Sequence, residues 1–156
     1  MKLELLESLR RSRAEVLAAV DGLSEYDRRR PLVPSGTNLL GLVKHLAGEE
    51  HGYLGEALGR TPALRPTWFR DDPYEEHDMW AEPDESTDYI TGVYRELAAH
   101  SDQVILSLDL DSPGQVAHWE NHETTLGFLL FTMATETAQH AGHARALREV
   151  VTGSAR

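Results

Sequence analysis

An all-α fold built on four long helices is what this sequence predicts, and three observations predict it. Apolar residues recur at helical spacing through most of the 156 residues. Nothing alternates with a strand period for long enough to propose a sheet. Polar caps and glycines fall where such helices would start and stop. Each helix carries one apolar face, and four such faces close a bundle around a shared core.

Leu5, Leu9, Val16, Val20 and Leu23 mark the buried stripe of a first helix running from Lys2 to about Leu23. It ends before the basic, proline-bounded stretch YDRRRPLVPSG. In PSGTNLL, Ser35 and Thr37 can cap a second helix. Its inner face reads Leu39, Leu42, Leu46, Tyr53 and Ala57, with Gly59 as its stop. Arg60 to Pro83 break the pattern. Pro62, Pro66, Pro73 and Pro83, with Trp68, Phe69 and Trp80, predict a long irregular connection packed across a face. Asp84, Ser86 or Thr87 caps a third helix that turns Ile90, Val93, Leu97, Val104 and Leu108 inward. After the loop DLDSPGQVAHWENHET, Thr124 or Thr125 opens a fourth helix that runs to about Val151, with Gly153 just beyond. The chain reads as one domain over residues 1–156.

Bulk properties narrow the function classes. A formal charge of -11 argues against general affinity for nucleic acid or anionic membranes, since both need a basic face. The absence of cysteine excludes disulfides, thiolate metal sites and a cysteine nucleophile, and it suits a reducing cytoplasm. The N-terminal MKLELLESLRRSRAEVLAAV is too charged for a signal peptide. No apolar run approaches the ~20 residues that span a bilayer. The expectation is a cytoplasmic protein. Bundles of this kind often pair through helices, so a homodimer stays open, although no helical stripe is visibly left over for a partner.

The informative residues are polar ones on inner faces. In ETAQHAGHARALRE the inward line of the fourth helix reads Leu129, Met133, Glu136, His140, His143, Leu147, the seam spacing of a packed helix. On the second helix, His45 and Glu49 fall among Leu42, Leu46 and Tyr53. Two helices therefore each present a Glu and a His four residues apart. Side chains so spaced project from one face about 5–6 Å apart and can share an ion with a ligand from a facing helix. They can equally satisfy one another by hydrogen bonds, and spacing alone leaves the two readings even. Other polar residues rank lower. His118, His122 and Glu123 sit where they could line the mouth of a site, and His77 and Asp78 lie beside Trp80, which reads as a lid over the bundle. His51 and His100 are expected to face solvent, and RRSR and DRRR to be solvated or salt-bridged runs.

TNLLGLVKHLAGEEHGYLG, followed about ninety residues later by ETAQHAGHARALRE, resembles the DinB/YfiT-like superfamily. Within it, the pattern is similar to the branch of the mycothiol-dependent maleylpyruvate isomerase N-terminal domain. The resemblance covers nearly the whole chain. It implies a four-helix bundle with a divalent metal held by one side chain of the second helix and two, four residues apart, on the last. Carried over, these are His45, Glu136 and His140. Many members have His at the position of Glu136, whereas the isomerase-like branch has Glu, as here. His143 matches no ligand and is expected beside the ligands or in the pocket wall. Glu49 is the runner-up ligand, and otherwise a base or a partner that orients His45 or a bound water. Such a donor set suits Zn²⁺ and also Ni²⁺, Fe²⁺, Mn²⁺ or Co²⁺.

The resemblance implies a thiol transferase or isomerase that joins a mycothiol-type thiol to a small electrophile. A chain without cysteine would borrow that sulfur. Two alternatives stand beside it: a metal-binding, stress-associated bundle without turnover, and a metal-dependent hydrolase with Glu49 as base.

Overall fold

In the computed structural model, which describes residues 1–69 and 79–154, four long helices carry the fold. They are α1 (Lys2–Val20), α3 (Leu39–Tyr53), α4 (Thr87–Ser107) and α5 (Leu126–Thr152), with a short α2 (Glu25–Arg29) between the first two. α1 packs along α5, α3 packs along α4, and α3 also meets α5. This is the expected all-α bundle.

Local chemistry corrects several boundaries. α1 stops at Val20, three residues before Leu23. The basic stretch then forms α2 because Ser24 caps it and Glu25 pairs with both Arg28 and Arg29. α3 is capped by Asn38, whose side chain accepts from Gly41 N at 2.7 Å, and not by Ser35 or Thr37. Those two hydroxyls bond one another at 2.9 Å instead. α3 ends at Tyr53, short of Gly59. A 3₁₀ turn over Glu56–Leu58 follows, and it is this turn that Gly59 closes, at φ 65°. Ser86 caps α4, Thr125 caps α5, and Gly153 at φ 66° ends α5. The loop before α5 contains a small antiparallel pair, β1 (Pro113–Gln115) with β2 (Glu123–Thr125), which three-residue strands were too short to announce.

The connection before α4 is pinned over α3. Lys44, fully buried, donates to Glu85 Oε2 at 2.7 Å and to the Trp80 carbonyl at 2.6 Å, and its ammonium stands 5.3 Å from the Trp68 ring. Asn38 Nδ2 reaches the Met79 carbonyl at 3.0 Å. A Cβ on Gly41 would collide with that same carbonyl, so only glycine admits the crossing. Trp68 is buried as expected, whereas Trp80 is substantially exposed beside the Gly36 turn. His77 and Asp78 lie outside the described residues.

The apolar core falls into two halves. One gathers Val16, Val20, Leu42, Leu46, Ile90, Leu97, Ala144 and Leu147. The other gathers Leu6, Leu9, Leu54, Ile105, Leu129, Leu130 and Met133. Along each helix the sequence passes from one half to the other through a buried polar residue: Arg13 on α1, Glu50 on α3, Ser101 on α4, Thr137 on α5. Arg13 donates to both Glu50 oxygens, at 2.6 and 2.7 Å, and to Asp102 Oδ1 at 2.6 Å. Asp102 also accepts from Arg10 at 2.7 Å. RRSR is therefore a salt-bridged run whose Arg13 faces inward.

Candidate metal centre

α3 contributes His45 and Glu49 to a partly open flank of the bundle, and α5 contributes Glu136 and His140. Each pair is four residues apart, so each projects from one face of its helix. Packing α3 against α5 brings the two faces together. One donor atom each from His45, Glu136 and His140 then lies within 4.8 Å of the other two. Ligands bound at about 2.0–2.2 Å from a divalent ion stand roughly 3–4 Å apart, so small side-chain rotations would close this set.

The residues present fit such an ion. His140 Nε2 lies 3.0 Å from Glu136 Oε1, the contact a merely hydrogen-bonded core would contain. That pairing leaves two features unexplained. His45 stands edge-on to His140 with ring centroids 5.2 Å apart, and His140 Nδ1 is buried with no hydrogen-bond partner. Burial, then the neighbouring His45, hold the His140 pKa below the ordinary histidine value although Glu136 pulls the other way. A neutral imidazole is the metal-binding form. Two imidazoles and one carboxylate suit a borderline divalent ion.

The remaining candidates divide. Glu49 is half-buried one turn beyond His45 and lines a groove of about 410 Å³ between α3 and the β-hairpin loop. His118, read as a mouth residue, lines the same groove. His143 is exposed and not in the inward line, because α5 turns Ala141 and Ala144 inward there; its ring still packs 5.6 Å from that of His140. His51, expected in solvent, is buried edge-on against Phe69 at 4.8 Å. His100 is half-buried, 2.6 Å from the Arg60 carbonyl. A wider depression of about 1220 Å³ under the hairpin holds Glu56, Glu120, His122 and Glu123 but none of the three converging donors.

Tyr53 and Trp119 were not singled out as site residues in the sequence. Tyr53 lines the groove next to Glu49, and its ring lies 5.5 Å from Trp119. One signal was available: His45, Glu49 and Tyr53 are successive residues four apart on α3.

Fold and flank together define a helical bundle with a candidate metal centre set between two of its helices. Residues 4–153 match the family model described as mycothiol-S-transferase, and the chain belongs to that family, a DinB/YfiT-like one. Among solved structures it is similar to the crystal structure of a conserved protein from Enterococcus faecalis. The two share 14% identity with a TM-score of 0.75, over 99% of this chain and 98% of that one. At that identity the likeness speaks for the fold. No curated protein matches the sequence. Among the described residues, no helix is long and apolar enough to cross a membrane.

Proposed function

We propose that this protein transfers a mycothiol-type thiol to a small electrophile at a divalent metal, zinc first among the candidates, held by His45, Glu136 and His140. The observation that carries the reading is the convergence of these three donors from two helices within a chain of the mycothiol-S-transferase family. The bound ion would supply Lewis acidity that favours a thiolate over a thiol. The sulfur must come from a cosubstrate, since the chain has no cysteine.

The chain's own residues supply the rest. Glu136 brings the one negative charge of the ligand set and accepts from His140, which orients that ring. Glu49, which lines the groove, would accept the thiol's proton as the sulfur engages. The groove lined by Glu49 and Tyr53 offers space for the cosubstrate or the electrophile. In the test, metal-loaded protein is incubated with mycothiol and a generic electrophile, and conjugate formation is followed. The rate should vanish on chelation and return with Zn²⁺. No metal-dependent rate contradicts the proposal.

A further inference from the structure

Three glycines interrupt α3, and packing requires only one of them. Gly41 must admit the Met79 carbonyl. A Cβ on Gly48 would make an ordinary 3.8 Å contact with the Phe69 ring, and one on Gly52 would meet nothing within 4 Å. Glycine inside a helix costs about 0.5–1 kcal/mol relative to alanine, so neither position is explained by the fold. Both line the groove of about 410 Å³ that Glu49 and Tyr53 also line. They stand three and seven residues beyond His45, on its side of the helix. A larger side chain at Gly52 would occupy the groove.

That groove continues beyond α3. Glu56, Ala57, Gln115 and Ala117 line it and also line the depression of about 1220 Å³ under the hairpin, which makes one long opening of the two. The open glycines of other helices, Gly92 and Gly142, line neither part. The far part is walled by Glu56, Gln115, Glu120, Asn121 and Glu123, with no Lys or Arg in either part. None of these carboxylates belongs to the three converging donors. Carboxylates and amides suit hydroxyl groups, which donate and accept, and they oppose an anionic body. One buried group also lacks a partner here. His51 Nδ1, on a residue 2% exposed, has no hydrogen bond and stands 3.7 Å from Glu56 Oε1. A hydroxyl about 2.8 Å from each would satisfy both, and Glu56, more than half exposed, can rotate to admit it.

Resting on the thiol-transfer reading, we infer that this opening holds the body of the thiol cosubstrate, uncharged and hydroxyl-bearing, which lies over Gly48 and Gly52 and reaches Glu56 and the hairpin carboxylates. Gly52 is the specificity-determining residue. Its missing side chain admits a thiol with a bulky body, and a small thiol has no need of that space.

Two thiols test this with zinc-loaded full-length protein and one generic electrophile. Mycothiol carries its sulfur on an uncharged, hydroxyl-rich body; N-acetylcysteine amide presents the thiol without it. The wild type should prefer mycothiol through a lower KM. Gly52→Val should reduce that preference in kcat/KM by about tenfold or more, through KM rather than kcat, as expected when uniform binding is lost. Metal content and circular dichroism should be kept and Tm should not fall, since valine is the better helix former. Glu56→Ala should reduce the preference by about threefold to tenfold, the order of one hydrogen bond, and it keeps the test alive if Gly52→Val does not fold. S-methyl mycothiol, whose sulfur is capped, reads the body alone: calorimetry should show it binding the wild type and weakened by about tenfold or more in Gly52→Val. An unchanged preference in both variants, a loss confined to kcat, or S-methyl mycothiol binding that Gly52→Val leaves intact overturns the inference while leaving thiol transfer standing. No metal-dependent wild-type rate with either thiol overturns thiol transfer itself, and this inference with it.

Discussion

Arg13, Glu50 and Asp102 interrupt the apolar core of the bundle, whereas His45, Glu136 and His140 gather on its partly open flank, and the two clusters are finished differently. In the first, a guanidinium makes three bonds of 2.6–2.7 Å to two carboxylates, and Arg10 closes the second carboxylate from outside. Glu50 and Arg13 are almost wholly sealed from solvent. In the second, His140 bonds Glu136 at 3.0 Å, the other ring nitrogen of His140 is buried with no hydrogen-bond partner, and Glu136 keeps 37% of its side chain exposed. A buried ionic cluster whose charges match asks for no ligand. A partly open cluster in which a buried ring nitrogen lacks a partner can take one.

The comparison can be broken most forcefully at Glu50. Glu50→Ala leaves Arg13 inside the protein with half its ionic partners gone, and should cost about 3–5 kcal/mol by chemical denaturation. Replacing the pair together, Arg13→Met with Glu50→Leu, should stay within about 2 kcal/mol of the wild type. If the double variant is as unstable as the single one, the cluster is not the closed, self-compensating unit described here.

Acid should separate the two clusters next. Burial depresses the pKa of His140, with His45 adding to it, and burial also depresses that of His51. The unfolded chain therefore binds protons on these residues before the folded one does. The stability of metal-stripped protein should be level above the ordinary histidine value of about 6.5 and fall as pH drops through and below it. The Arg13 guanidinium, held above its ordinary value by Glu50 and Asp102 against the cost of burial, adds nothing to that slope. Denaturation curves flat between about pH 7 and pH 5 would contradict this assignment.

The smallest effect concerns Thr137, which places a buried hydroxyl with no protein partner at the junction of the two core halves. Thr137→Val should leave stability unchanged or raise it by up to about 1 kcal/mol, read as a rise in Tm. A large loss would mean that the hydroxyl is satisfied within the fold.

The helices were legible because their apolar spacing is uninterrupted enough to reveal one face each. Their ends were less so: Asn38 beat Ser35 and Thr37 as a cap through a contact that only the backbone geometry decides. The three converging donors could be read from two Glu/His pairs and a family resemblance. The Arg13 cluster was hidden, because RRSR looks like a solvated run. A trace of it exists all the same: Leu9, Arg13, Val16 and Val20 follow the four-three-four spacing of the buried stripe. The inward placement of His143 failed for the converse reason: the buried line of α5 runs through Thr137, Ala141 and Ala144, one residue to the side of the seam read from the sequence. Tyr53 was read as part of an inner face because Trp119, whose ring lies 5.5 Å from it, approaches from a loop distant in sequence.

Metal content decides the central claim most directly. Wild-type protein, reconstituted with Zn²⁺ and desalted, should carry close to one ion per chain by elemental analysis. His45→Ala and His140→Ala, on different helices, should each lose it while keeping the helical circular dichroism of the wild type. Retention of a stoichiometric ion by both variants, or a wild type that holds none, would contradict the account.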